Sequence, residues 1–253
     1  MEQNLSKKTR TESDLIGSRE VPESALYGVQ TLRGIENFRI SKFHLNEYPL
    51  FIQALAITKM GAAVANRELD LLTEEQTDAI LRACKEILEG KHHEQFPVDM
   101  IQGGAGTTTN MNINEVVANR ALELMGHQRG EYQYCSPNDH VNRSQSTNDA
   151  YPTAIHIGLY YTHLKLVKHF EVLIEAFRKK GSEFAHIIKM GRTQLEDAVP
   201  MTLGQTFNGF ASILEHEVKN LDFAAQDFLT VNMGATAIGT GITAEPEYAE
   251  KCI

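Results

Sequence analysis

The sequence predicts a mainly α-helical protein, and three observations carry that prediction. Two stretches keep one apolar face over many turns: Ile155, Leu159, Leu166, Phe170, Leu173 and Phe177 in the first, and Leu203, Phe207, Phe210, Leu214, Val218, Leu221 and Phe228 in the second. Their spacing falls mostly on steps of three, four or seven, as it does in helices that pack in bundles. A capping box, Thr73-Glu74-Glu75-Gln76, opens a further helical pattern, because Thr73 can cap while Gln76 reaches back three residues. The helical stretches are separated by four polar islands rich in hydroxyls and glycine, where short connections would serve a bare bundle.

Length and composition set the frame. The 253 residues suffice for one large or two small domains, and 42% hydrophobic with 8% aromatic content fits a globular protein. A net charge of −9 argues against nucleic acid or an anionic membrane as the main partner. It leaves a small acidic substrate open, because one local pocket can oppose the global sign. Cys84, Cys135 and Cys252 are far apart and odd in number. They make neither a disulfide framework nor a zinc pattern, and read as free thiols of a reducing cytoplasm. No secretory signal is expected in the polar start, and no apolar run reaches the ~18 residues of a membrane span.

In chain order, residues 1–14 read as a loose, flexible arm. Residues 15–47 read as irregular, with a short strand or turn-rich segment over Val29–Phe38. A helix follows from Pro49 to Leu69, its Gly61, Ala62, Ala63 and Ala65 suited to close packing. The helix opened by Thr73 carries Ile80, Leu81, Cys84, Ile87 and Leu88 and stops at Gly90. His92, His93, His156, His163 and His169 lack the carboxylate or cysteine spacing of a metal site, and no metal is expected.

The first island, Gln102–Asn112, is Gly-rich and then Thr-rich. It has neither the lysine of a P-loop nor dinucleotide spacing, which excludes nucleotide binding there. Asn112 and Glu115 read as a cap and its partner, with Gly126 ending the helix. The second island, Asn138–Pro152, holds hardly any apolar side chain. Pro152 reads as the first turn of the longest helix. Ser, Thr and Asn at such an entrance offer donors and the positive end of the dipole, a site for a carboxylate; the same residues also read as a cap and turn. Gly181 reads as a break or kink. The third island, 186–200, reads as a turn or short hairpin, followed by a helix from Met201 to Val231. At 1.5 Å per residue each ~30-residue helix would be about 45 Å long, too long to bury its apolar face within this chain, so partners are expected. The fourth island, Asn232–Gly241, is Gly- and Thr-rich, again without a P-loop lysine, and its pattern of Gly and small residues is that of a turn.

Three of these islands carry a resemblance. Gly104-Ala105-Gly106-Thr107 with Asn110–Val116, then Asn138–Asp149, then Gly191-Arg192-Thr193-Gln194-Leu195 with Asp197-Ala198 and Pro200, resemble in order three conserved regions of the aspartase/fumarase superfamily. The resemblance runs from about Leu15 to the end. It implies an N-terminal mixed helical domain (15–141) followed by the start of a central long-helix bundle domain (142–253, incomplete). It implies that Thr107, Ser146, Thr147 and Thr193 hold substrate carboxylates, that Asn148 belongs to the same pocket, and that Gln194 stands where fumarases and some aspartases have histidine. Gln194, Phe96–Asp99 and Gly130–Tyr134 favour the aspartase members over the fumarases, where serine would be expected at Ala105.

The implied reaction is reversible elimination of ammonia from L-aspartate to give fumarate, without a cofactor. A fumarate hydratase-like activity is the alternative, and an inactive helical assembly fragment is a reading of another class. The resemblance places the general-base serine on a Gly-Ser-Ser loop that these residues do not contain, expected downstream of Ile253. The catalytic base is therefore expected outside this chain, which by itself is expected to be inactive. The implied state of the complete protein is a cytoplasmic homotetramer whose sites combine three subunits.

Overall fold

A computed structural model of the protein describes residues 8–102 and 104–252. The chain forms two compact units, one from Met1–Gly158 with Val231–Ile253 and one from Leu159–Thr230. The mainly α-helical expectation is borne out.

The first unit begins with an antiparallel hairpin, β1 (Thr9–Asp14) paired with β2 (Gly17–Pro22). This corrects the expected loose arm over those residues; residues 1–7 of that arm lie outside the described ones. Arg10 anchors the hairpin through hydrogen bonds to the carbonyls of Pro22, Ala25 and Tyr27.

The segment expected as strand or turn-rich is instead a helix, α1 (Val29–Asn37). The reason lies far away in sequence. The buried carboxylate of Glu115 accepts the N–H groups of Gly28, Gln30 and Thr31, and Glu12 accepts that of Val29. Four donors at the helix entrance are thus satisfied by tertiary contacts. Gly28 is required by this arrangement, since a Cβ there would come within 2.5 Å of Glu12 Oε2, 2.8 Å of Tyr132 Oη and 2.9 Å of Glu115 Cδ.

Helices α2 (Pro49–Glu68), α3 (Glu74–Leu88) and α4 (Thr107–Leu124) build the core. Proline opens α2, where its missing N–H costs nothing, and buried Ala54, Ala56, Ala62, Ala63 and Ala65 supply the close-packing surface. The Thr73–Gln76 capping box forms as the sequence predicts. Ile52, Leu55, Ile80, Ile87, Phe96, Ile113, Val116 and Leu122 fill the centre. Full burial of each contributes roughly 1.5–3 kcal/mol.

Helix α4 differs from the expectation at its start. It begins at Thr107 after a left-handed Gly106 (φ +88), so Asn112 lies inside the helix, fully buried, and donates to the Gln95 carbonyl. Its supposed capping partner, Glu115, caps α1 instead. Ser136 then caps a short wide turn at Pro137–Val141.

Helix α5 (Thr147–Glu183) starts five residues earlier than Pro152 suggested. Ser146 is its cap: Ser146 Oγ accepts from the Asn148 N–H, and Asp149 returns the bond to the Ser146 N–H. Pro152 sits in the second turn, where it cannot donate to the carbonyl of Asn148; that carbonyl accepts from Asn232 Nδ2 at 3.0 Å instead.

The second unit takes the rest of α5, a hairpin of β3 (Ile188–Thr193) and β4 (Glu196–Thr202), and α6 (Leu203–Ala225). The hairpin alternative for the third island is thereby realised. Phe177, Phe184, Phe207 and Phe210 form an aromatic cluster with ring centroids 5.6–6.4 Å apart. Gly181 does not break α5. It admits α6, since a Cβ there would meet the Asn208 side chain at 2.5 Å. Leu166, Val172, Phe210, Ile213 and Phe223 remain exposed on this unit. The chain returns to the first unit, where α7 (Tyr248–Lys251) packs Tyr248 with Ala62, Ala65, Ala150 and Met233 in a second core. Among the described residues no helix is long and apolar enough to cross a membrane.

Candidate functional site

Within the first unit, the first and second islands converge because α4 and α5 both start there. Thr107 is the first residue of α4 and is exposed. Ser146 and Thr147 are half-buried and Asn148 is exposed at the start of α5. Two contacts join these helix starts. Tyr151 packs onto Gly106 so closely that a Cβ there would fall 2.5 Å from the ring. One turn into α4, Asn110 Nδ2 donates to Thr147 Oγ1 at 3.3 Å.

Behind the cluster lies a buried cation. Lys59 Nζ, on α2, donates to Asn110 Oδ1 at 2.8 Å, Asn142 Oδ1 at 3.0 Å and Gln145 Oε1 at 2.8 Å. Its three protons meet three amide oxygens, so the ammonium is satisfied without an ion pair in direct contact. Burial pushes Lys59 down to about 7, against the upward pull of the Asp149 charge. Lys59, Asn110, Asn142, Gln145 and Asp149 were not picked out from the sequence. One signal was available: Lys59 is the one charged residue of α2 before Arg67 and Glu68 at its end.

Asn148 is held on several sides. Its Nδ2 donates to the Ala237 carbonyl at 2.8 Å, and its own carbonyl accepts from Asn232. The fourth island therefore packs beside the second.

Thr193 and Gln194 belong to the second unit, at the end of β3 and in the β3–β4 turn, and both are exposed. Gln194 and Leu195 both adopt left-handed backbone, at φ +48 and +69. Such conformations cost non-glycine residues about 1–3 kcal/mol each and collect at functional positions. Among the described residues, no group of three or more His, Cys, Asp or Glu could hold a metal ion.

Two helix starts lined with hydroxyls and amides, backed by a buried ammonium, form an electropositive and neutral-donor surface suited to a carboxylate. The fold and this surface agree with a lyase. A family described as "Lyase" matches residues 17–253, and the chain belongs to it. The chain is 58% identical over 240 residues to the aspartate ammonia-lyase of Pseudomonas canavaninivorans, covering 94% of this chain and 51% of the relative. It is 55% identical over 246 residues to the aspartate ammonia-lyase of Escherichia coli (strain K12), covering 97% and 52%. Among solved structures, a fumarate lyase:delta crystallin from Brucella melitensis bound to cobalt superposes with a TM-score of 0.92 at 51% identity, covering 97% of this chain and 53% of that one. A class II fumarase from Schistosoma mansoni gives 0.89 at 35% identity, covering 97% and 51%. The chain thus spans about half the length of the relatives it matches.

Proposed function

We propose that this chain supplies carboxylate-binding walls of an ammonia-lyase that interconverts L-aspartate with fumarate and ammonia. The observation that carries the reading is the joining of the two helix starts that carry Thr107 and Ser146, Thr147 and Asn148, through Tyr151 on Gly106 and Asn110 on Thr147, with Lys59 behind Asn110. Abstraction of a proton beside a carboxylate builds charge on that carboxylate. Neutral hydroxyl donors and helix starts are suited to stabilise it where it develops. Thr193 and Gln194, on their exposed and strained turn, serve the same chemistry. The base is a serine of a Gly-Ser-Ser loop that these residues do not contain, so the 253-residue chain alone is inactive. The complete protein works in the cytoplasm as a homotetramer. The large exposed apolar side chains of the second unit, Val172, Ile213 and Phe223 among them, support self-association.

The aspartase identities of 55–58%, against 35% for the fumarase structure, favour aspartate over malate. The test is the absorbance of fumarate formed by the complete protein from L-aspartate or L-malate. Formation from aspartate alone supports the reading. Formation from malate alone shows a hydratase. Formation from neither, by a folded complete protein, leaves the assembly role.

A further inference from the structure

Asp149 is fully buried, and its carboxylate is where two distant segments meet. Oδ1 accepts the Ser146 N–H at 2.9 Å; Oδ2 accepts the N–H groups of Gly234 at 3.1 Å and Thr236 at 2.9 Å. Gly234 and Thr236 both have left-handed backbone, φ +88 and +58. Closely spaced N–H groups in such turns form a concavity that binds anions. Here the anion is the chain's own. Glycine is required at 234, because a Cβ would stand 2.5 Å from Ala249 Cβ.

The segment so held also grips Asn148. Ala237 takes one proton of its side-chain amide, and Asn232 takes up the carbonyl that Pro152 leaves free. An exposed asparagine without these contacts can turn its amide over, exchanging a donor for an acceptor toward any ligand.

We propose that Asp149 is a positioning residue: by filling the backbone concavity at 234–236 it makes this segment a brace that fixes the Asn148 amide and the first turn of α5. The inference rests on the elimination activity proposed above, and one of its tests does not. Two hydrogen bonds to the carboxylate hold the brace and a third holds Ser146, and bonds to a carboxylate are the stronger kind. Asp149→Asn keeps the shape, removes the charge and sets an NH2 against a backbone N–H.

In the complete protein, Asp149→Asn is expected to raise KM for aspartate about tenfold, a loss typical of one misplaced polar contact, while kcat changes less. Asn232→Ala, an exposed change that leaves the buried carboxylate intact, is expected to raise KM in the same direction by about threefold. In the complete protein, amide exchange in Asp149→Asn is expected to quicken at Ser146, Gly234 and Thr236 and not in the centre of α2. A lowered melting temperature with wild-type KM would show a merely structural role and overturn the proposal. If Asp149→Asn does not fold, wild-type KM in Asn232→Ala overturns it instead. Unchanged exchange at Gly234 and Thr236 overturns it whatever the kinetics. Absence of aspartate turnover in the wild-type complete protein defeats the functional reading alone, because the exchange result still reports whether the brace exists.

Discussion

Lys59 and Thr147 are linked through a single amide: Asn110 accepts from Lys59 Nζ at 2.8 Å and donates to Thr147 Oγ1 at 3.3 Å. A buried cation thereby sets the orientation of an asparagine, and the asparagine sets the hydroxyl. Because Asn110 Oδ1 must face the ammonium, its Nδ2 must face the threonine, so Thr147 accepts there and keeps its own proton for another acceptor.

Lys59 gives a pH signature. Its pKa falls from 10.5 to about 7 on folding, so between those values the unfolded chain holds a proton that the native state lacks. Stability therefore rises with pH across this window, by up to about 1.4 kcal/mol per unit. Urea unfolding at pH 7 and pH 9 is expected to show the rise in the wild type and not in Lys59→Met.

Glu115 acts with the opposite sign. Burial pushes its carboxyl up from 4.5 to about 7 despite hydrogen bonds from Thr31, Gln30 and Gly28. Between those values the native state holds the extra proton, so this group's contribution to stability falls as pH rises. Glu115→Gln should flatten that fall. It should also cost about 1–3 kcal/mol at pH 5, because its NH2 leaves a backbone donor at the α1 entrance unpaired. Loss of α1 protection in hydrogen exchange is the local readout.

Gly106 and Tyr151 should couple. Gly106→Ala introduces both a left-handed alanine and a clash with the ring, and is expected to destabilise by about 2 kcal/mol or more. Tyr151→Ala in the same chain relieves the clash only. A double-mutant cycle on unfolding free energies is expected to give a coupling of about 1 kcal/mol or more, whereas strict additivity would mean that the two helix starts are not locked together here.

Removal of one hydroxyl tests the proposed carboxylate wall directly. Thr147→Val and Thr193→Val in the complete protein are each expected to lower kcat/KM about a hundredfold, the usual effect of losing one donor to developing charge. Near-wild-type turnover in either variant removes that residue from the site.

Much of this could be read in the chain. Thr73 and Gln76 lie three apart and cap their own helix, so the signal was local and the capping box formed. The β3–β4 hairpin followed from a polar stretch bounded by Gly191 and Pro200. Helix α1 was not legible, because its N–H groups are satisfied by Glu12 and by Glu115, 84–87 residues further on. Tertiary capping leaves no mark in the helix's own residues. Pro152 misled for a related reason: a proline in the second turn is tolerated when a distant side chain, here Asn232, adopts the carbonyl it abandons. Lys59 was hidden among small residues, since only the fold reveals that its three acceptors come from α4 and the second island.

The return of residues 231–253 to the first unit has a consequence for the order of assembly. Asp149 finds two of its three partners 85 and 87 residues downstream, beyond the whole second unit. Closing a loop of that size carries an entropic penalty that only later contacts repay. The first turn of α5 can therefore form early through Ser146, but its buried carboxylate stays half-satisfied until the chain has gone out and come back. Synthesis from the N-terminus delivers α2, α3 and α4 long before Gly234 emerges. The wall proposed to meet substrate is thus among the last parts of this unit to set.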